Sequence, residues 1–224
     1  MTRVLIADDD DLMRAGLVEL LSGEPEIEVV GEASTGREAV ERARRLAPDV
    51  VLMDVRMPDL DGIQATRELA SAVPSARVLI LTTFEQDDYV FGALRAGASG
   101  FLLKRSKPEE LIAAVNAIAV GDSLLSPSVT RLVIERMAQQ PTPELAAQGK
   151  LDELTPRERE VLELIARGLS NREIAAQLFV EESTVRTHVK RIQMKLGLRD
   201  RVQIVIFAYE TGVNRPAPTA NPTP

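Results

Sequence analysis

The chain has no cysteine, no tryptophan, a single histidine and only 3% aromatic residues among 224 positions. Without cysteine there is no disulfide framework, no thiolate metal site and no thiol nucleophile. No run reaches the roughly 18 apolar residues that a membrane span needs, and Met1-Thr2-Arg3 leads straight into an apolar stretch. The expectation is a cytoplasmic protein without signal peptide or membrane partner. An excess of positive charge is also missing: the net charge is −7, which on its face argues against nucleic acid. What is present is 45% hydrophobic residues, enough for real cores, and length enough for two domains of ordinary size.

The negative charge is unevenly spread. Residues 1–120 carry −8, whereas residues 151–224 carry +1. Between 183 and 199 stand Arg186, Lys190, Arg191, Lys195 and Arg199 with no acid among them. A phosphate backbone responds to charge within a Debye length of about 8–10 Å, so this local excess outweighs the total.

Along residues 1–120, apolar runs at 4–7, 29–33, 50–53, 78–81 and 101–103 read as five strands. Helical patterns near 13–21, 36–46, 63–72, 89–96 and 108–120 alternate with them. Five βα units with nearly continuous apolar strands predict an α/β doubly wound, five-stranded parallel sheet covered on both faces. Right-handed crossovers make 2-1-3-4-5 the expected order, with the ligand crevice at the carboxyl ends of strands 1 and 3. Residues 121–150, punctuated by Pro127, Pro141 and Pro143, read as a linker compatible with a short helix at 128–137. Residues 151–213 read as a small all-α domain. The tail 214–224, with four prolines, reads as disordered.

The chemistry lies at the strand ends. Asp8 and Asp9 follow strand 1 and Asp54 follows strand 3, so the expected sheet order brings three carboxylates into one crevice. Like charges so close are costly unless a cation sits among them. An all-oxygen set suits Mg²⁺, which readily shares a phosphoryl oxygen. A carboxylate beside it can attack phosphorus to give an acyl phosphate. Thr82 closes strand 4 and Lys104 closes strand 5, supplying a hydroxyl and a cation at the same edge. Each alone is ordinary, but four matching positions at four strand ends are not.

The second half carries its own signature. Thr155 with Pro156 and Glu158 forms a helix start, a turn around Gly168 feeds a short helix, and a segment expected to be capped by Ser183 follows. This is a helix-turn-helix. In the last of these helices Val185, Val189, Ile192 and Leu196 form one apolar stripe. Arg186, Thr187, Lys190, Arg191 and Met194 then face outward, able to enter a major groove.

Residues 1–120 resemble a response-regulator receiver domain, on Ile6-Ala7-Asp8-Asp9, Asp54-Val55-Arg56-Met57-Pro58-Asp59-Leu60-Asp61-Gly62, Leu81-Thr82-Thr83 and Gly100-Phe101-Leu102-Leu103-Lys104. Residues 155–213 resemble a LuxR-type helix-turn-helix, and the whole chain is similar to the NarL/FixJ two-component regulators. That resemblance implies Asp54 as phosphoacceptor, with Asp8, Asp9 and the Arg56 backbone carbonyl around Mg²⁺. Thr82 and Lys104 would bind phosphoryl oxygens, and Phe101 would pack inward as Thr82 moves toward the phosphate. The face of the fourth helix, fifth strand and fifth helix would change with them. Residues 183–196 would be the recognition helix. Arg186, Thr187 and Lys190 would meet base edges, Arg191 a phosphate, and the final helix a second copy in a homodimer on double-stranded DNA.

Where many relatives have His-Pro after the acidic pair, this chain has Asp10-Asp11. Two uses follow: Asp11 as a helix cap, and Asp10 as further charge at the metal. His188, the lone histidine, flanks the buried stripe, so a structural or phosphate-contacting role fits better than a phosphorelay. The phosphoryl group must come from outside, from a sensor histidine kinase or a small acyl phosphate. RNA polymerase is a further partner to test. The Asp8-x-Asp10 spacing also suits an aspartate-nucleophile phosphohydrolase, a reading that leaves Asp54 and the DNA module idle. A receiver working without phosphate would typically lack part of the acid, Thr and Lys set. An acyl-homoserine-lactone sensor would share the DNA module alone.

Overall fold

The computed structural model of the chain describes residues 1–83, 87–120 and 149–213. The linker helix expected at 128–137 and the tail 214–224 lie outside them. The chain divides into two compact units, Met1–Ser126 and Pro127–Pro224.

In the first unit, β1 (Thr2–Ala7), β2 (Ile27–Ala33), β3 (Val50–Asp54), β4 (Arg77–Thr82) and β5 (Gly100–Leu103) form one parallel sheet in the order β2-β1-β3-β4-β5. The expected doubly wound order is what the structure shows. β3 is buried along its whole length, as a central strand covered on both faces must be, whereas β2 at the edge is half exposed. Helices α1 (Asp11–Ser22) and α5 (Pro108–Ala119) cover one face. There Leu17, Leu21, Leu111, Val115 and Ile118 pack on Val4, Ile6, Leu52 and Leu79. Each such fully buried side chain contributes about 1.5–3 kcal/mol relative to exposure. The other helices are α2 (Gly36–Leu46), α3 (Gly62–Ala72) and α4 (Asp87–Ala96), of which α2 and α3 pack against each other.

Register decides where the chemistry lands. Ala7 pairs with Met53, so the next residues, Asp8 and Asp54, leave the sheet side by side. Asp54 pairs with Leu81, and Thr82 with Leu103. Lys104 then hydrogen-bonds through its backbone N–H to the Thr82 carbonyl at 2.7 Å. All four strand ends therefore share one edge.

The second unit is helical, with α6 (Pro156–Ala166), α7 (Asn171–Leu178), α8 (Glu182–Leu196) and α9 (Arg201–Glu210). Capping boxes open α6 (Thr155 with Glu158) and α7 (Ser170 with Glu173). Left-handed residues end α7 at Phe179 and α8 at Gly197. The expected cap at Ser183 is corrected: α8 begins earlier, with Glu181 at the cap position. The Glu181 carbonyl already accepts from the Thr184 and Val185 amides, which draws Ser183 into the first turn. There its own carbonyl accepts from the Thr187 hydroxyl. Among the described residues no helix is long and apolar enough to cross a membrane.

Candidate functional site

Asp8, Asp9 and Asp54 each present a carboxylate oxygen, and these oxygens lie within 4.8 Å of one another. Asp8 is fully buried and Asp54 is 7% exposed, while Asp9 faces solvent. Lys104 Nζ reaches between the two buried acids, 2.7 Å from Asp8 Oδ2 and 3.1 Å from Asp54 Oδ2. The other Asp54 oxygen accepts from the Val55 amide at 2.8 Å.

The electrostatics follow from burial. Burial pushes the Asp54 carboxyl above its ordinary value and Asp8 adds to that, against the pull of Lys104. Burial pulls Lys104 down, but Asp8 and Asp54 more than reverse it, so its ammonium is held above the usual lysine range. One lysine thus serves two carboxylates, and the crevice is short of positive charge. Asp8 Oδ2 is fully buried and meets the Lys104 ammonium at 2.7 Å. A buried carboxylate that shares its cation with a second and stands beside a third is a donor set that fits a hard, oxygen-preferring divalent cation.

The residues flanking the crevice fall into place with one correction. Asp10, not Asp11, caps α1: its Oδ1 accepts from the Leu12 and Met13 amides at 2.9 and 3.1 Å. Those bonds hold its carboxyl below the ordinary range, and its own amide donates to Asp8 Oδ1 at 3.0 Å. Its charge is committed to the helix, and it does not join the carboxylate cluster. Asp11 instead pairs with Arg14 at 2.5 Å. Arg14, which sequence reasoning missed, also donates to the Asp8 carbonyl at 2.8 Å and to Glu32 at 3.1 Å. It ties the acidic loop to α1 and β2. The only signal was a lone cation in the first helical turn after four aspartates.

Thr82 is buried at the end of β4, and Phe101 is buried on β5 opposite Ile80. Arg56 is exposed and, with Asp9, Met57, Pro58 and Ile63, lines a cavity of about 420 Å³ beside the carboxylates. The turn behind it needs Asp59 at φ 65°, a left-handed conformation that aspartate tolerates better than most residues.

In the second unit, Val185, Val189, Ile192 and Leu196 are buried, and Arg186, Thr187, Lys190, Arg191 and Met194 are exposed. The outward face is the one the periodicity predicts. Arg186 is paired with Glu182 at 2.7 Å across one turn. His188 is half-buried, with Nδ1 inside and lacking a hydrogen-bond partner. Helix α9 keeps Val202, Ile204, Val205, Ile206, Phe207 and Ala208 buried. Only Arg201, Gln203, Tyr209 and Glu210 are half-exposed on it.

Residues 4–116 match the family described as "Response regulator receiver domain". Residues 152–208 match "Bacterial regulatory proteins, luxR family". The chain is 43% identical over 213 residues to the uncharacterized transcriptional regulatory protein YxjL of Bacillus subtilis, covering 94% of this chain and 96% of that one. It is 39% identical over 216 residues to the DNA-binding transcriptional activator DevR/DosR of Mycobacterium tuberculosis, covering 96% and 98%. The crystal structure of response regulator ChrA, from a heme-sensing two-component system, superposes with a TM-score of 0.51 at 37% identity over 95% of this chain and 98% of that one. An RcsB–DNA complex gives 0.54 at 27% identity over 93% and 98%.

Proposed function

The chain belongs to the response regulators that join a receiver domain to a LuxR-type DNA-binding domain and regulate transcription, and on that premise we propose which residues receive the signal and which read DNA. Residues 1–120 receive, 121–150 connect, and 151–213 bind DNA. Asp54 is the phosphoacceptor. Its carboxylate oxygen attacks the phosphorus of a phosphohistidine on a sensor kinase, the P–N bond breaks, and the released imidazole takes up a proton. Asp8, Asp9, Asp54 and the Arg56 carbonyl would hold Mg²⁺, which when bound offsets their charge and shares a phosphoryl oxygen. Lys104 is placed to pair with the phosphoryl oxygens once Asp54 no longer carries its own charge. Thr82 donates to them, and Phe101 holds the inward packing.

The observation that carries this reading is the strand register, which sets Asp8, Asp54, Thr82 and Lys104 on one edge with the lysine between two buried acids. The added charge of roughly −1.5 to −2 biases the receiver toward one surface, and that surface pairs two copies in the cytoplasm. Arg186, Thr187 and Lys190 then read bases, Arg191 meets a phosphate, and His188 supports the helix from its flank. Two copies place two α8 helices in successive half-sites.

Incubation with Mg²⁺ and acetyl phosphate followed by peptide mass mapping tests the assignment. One phosphoryl group on the peptide holding Asp54, absent from Asp54→Asn, is the expected result. A wild-type protein that takes no adduct, or one that takes it elsewhere, contradicts it.

A further inference from the structure

Lys195 counts in the sequence among the cations offered to a phosphate backbone, but its ammonium is engaged elsewhere. It lies 2.7 Å from Glu158 Oε2 and donates to the Glu153 carbonyl at 3.0 Å. Glu158 is only 3% exposed, and its Oε2 also accepts from the Thr155 amide at 2.9 Å as half of the capping box. One carboxylate oxygen thus joins the start of α6 to the last turn of α8. The α6 anchor is itself fixed, since Val161, Leu162 and Ile165 are fully buried.

The apolar stripe of α8 decides which face turns inward, but burial is non-directional and leaves tilt and sliding loosely set. Hydrogen bonds are directional, and one to a buried charge is strong. The pin sits at the C-terminal end of α8, whereas Glu181, at the other end, makes no side-chain cap bond. Arg186 and Lys190 stand five to nine residues from Lys195, so a pivot there sweeps them across the base edges.

We propose that Glu158 and Lys195 are positioning residues for DNA recognition: together they fix the tilt of α8, and Lys195 itself makes no phosphate contact. The proposal rests on α8 being the DNA-facing helix. It does not depend on the phosphoacceptor assignment.

The test uses the full chain, a labelled duplex enriched by the wild type from a random-sequence pool, and a scrambled duplex of equal length. Both affinities are measured across a salt series. Lys195→Met is expected to weaken binding to the enriched duplex on the order of tenfold, leaving the scrambled duplex and the salt slope unchanged. Lys195→Arg restores most of the loss. Glu158→Gln gives the same selective loss, and the double variant is no worse than either single one. If Glu158→Gln fails to fold, because it also breaks the capping box, the Met and Arg variants at Lys195 carry the test alone.

A phosphate-contacting lysine would instead lower both affinities and reduce the slope by about 0.9. A merely structural one would lower the melting temperature and leave the ratio of the two affinities where it was. Either result overturns the proposal. Arg191→Ala is the control for the helix itself: it must lower affinity on both duplexes and reduce the slope, or α8 is not the reading helix.

Discussion

Gly62→Ala is expected to abolish folding of the first unit. A Cβ at residue 62 would sit 1.9 Å from the Asp54 carbonyl oxygen and 2.9 Å from its carbon, closer than real atoms approach. Neither partner can yield. Asp54 ends β3, which pairs with β1 and β4, and the Gly62 amide is bound to the Val55 carbonyl at 2.9 Å. The glycine is required for space, as its φ is not in the left-handed range. A loss above about 4 kcal/mol places this in the exceptional class of substitutions. Thermal unfolding by circular dichroism should show the α/β transition missing and the helical unit still melting. Gly16→Ala is the matched control: nothing lies within 4 Å of that position, so no clash is created. Alanine inside α1 should be neutral or stabilising by up to about 1 kcal/mol. A wild-type melting curve for Gly62→Ala would refute the geometry.

Lys104→Met is the second large effect. It leaves Asp8, fully buried, and Asp54, nearly so, without their shared cation. Removing one partner of a buried pair costs about 3–5 kcal/mol, because the remaining charge is stranded. Folding raises the lysine's pKa, so its contribution is complete below the unfolded value of about 10.4 and fades only as pH rises through the higher folded value. The deficit should therefore be full at neutral pH. It should shrink in acid, where the stranded carboxylates take up protons. Divalent cation binding should recover part of it, about 2.7 kcal/mol at a hundredfold excess over Kd. Denaturant titrations of the variant in EDTA and in Mg²⁺ measure both. Equal stability in the two buffers would mean that the three aspartates hold no cation.

The five strands and their order were legible because parallel strands buried on both faces are nearly continuous apolar runs, and each run here stops at a polar residue. Asp54, Thr82 and Lys104 could be placed at one edge for the same reason. What was not legible depended on geometry finer than the pattern. Four consecutive aspartates offer no local preference for the helix cap. Asp10 takes it because Asp8 Oδ1 holds its amide and starts the turn one residue earlier than expected. Ser183 looked the better cap by residue type, yet Val185 is already in register with a helix begun at Glu182. Charge counting also could not show that Lys195 is engaged by a carboxylate, because nothing near it in sequence announces Glu158, 37 positions away. Arg14 was hidden likewise, since of its partners Asp8 lies in the loop after β1 and Glu32 on β2, 18 positions away.

Anisotropy of a labelled operator-like duplex, titrated with wild type and with Asp54→Asn before and after treatment with Mg²⁺ and acetyl phosphate, joins both halves of the molecule in one readout. Wild type alone should bind more tightly after treatment, by a factor within the 5–150-fold typical of coupled sites, and chelating Mg²⁺ before the donor is added should prevent it. Unchanged affinity in the wild type, or the same rise in Asp54→Asn, would contradict phosphoryl control of DNA binding through the acidic crevice.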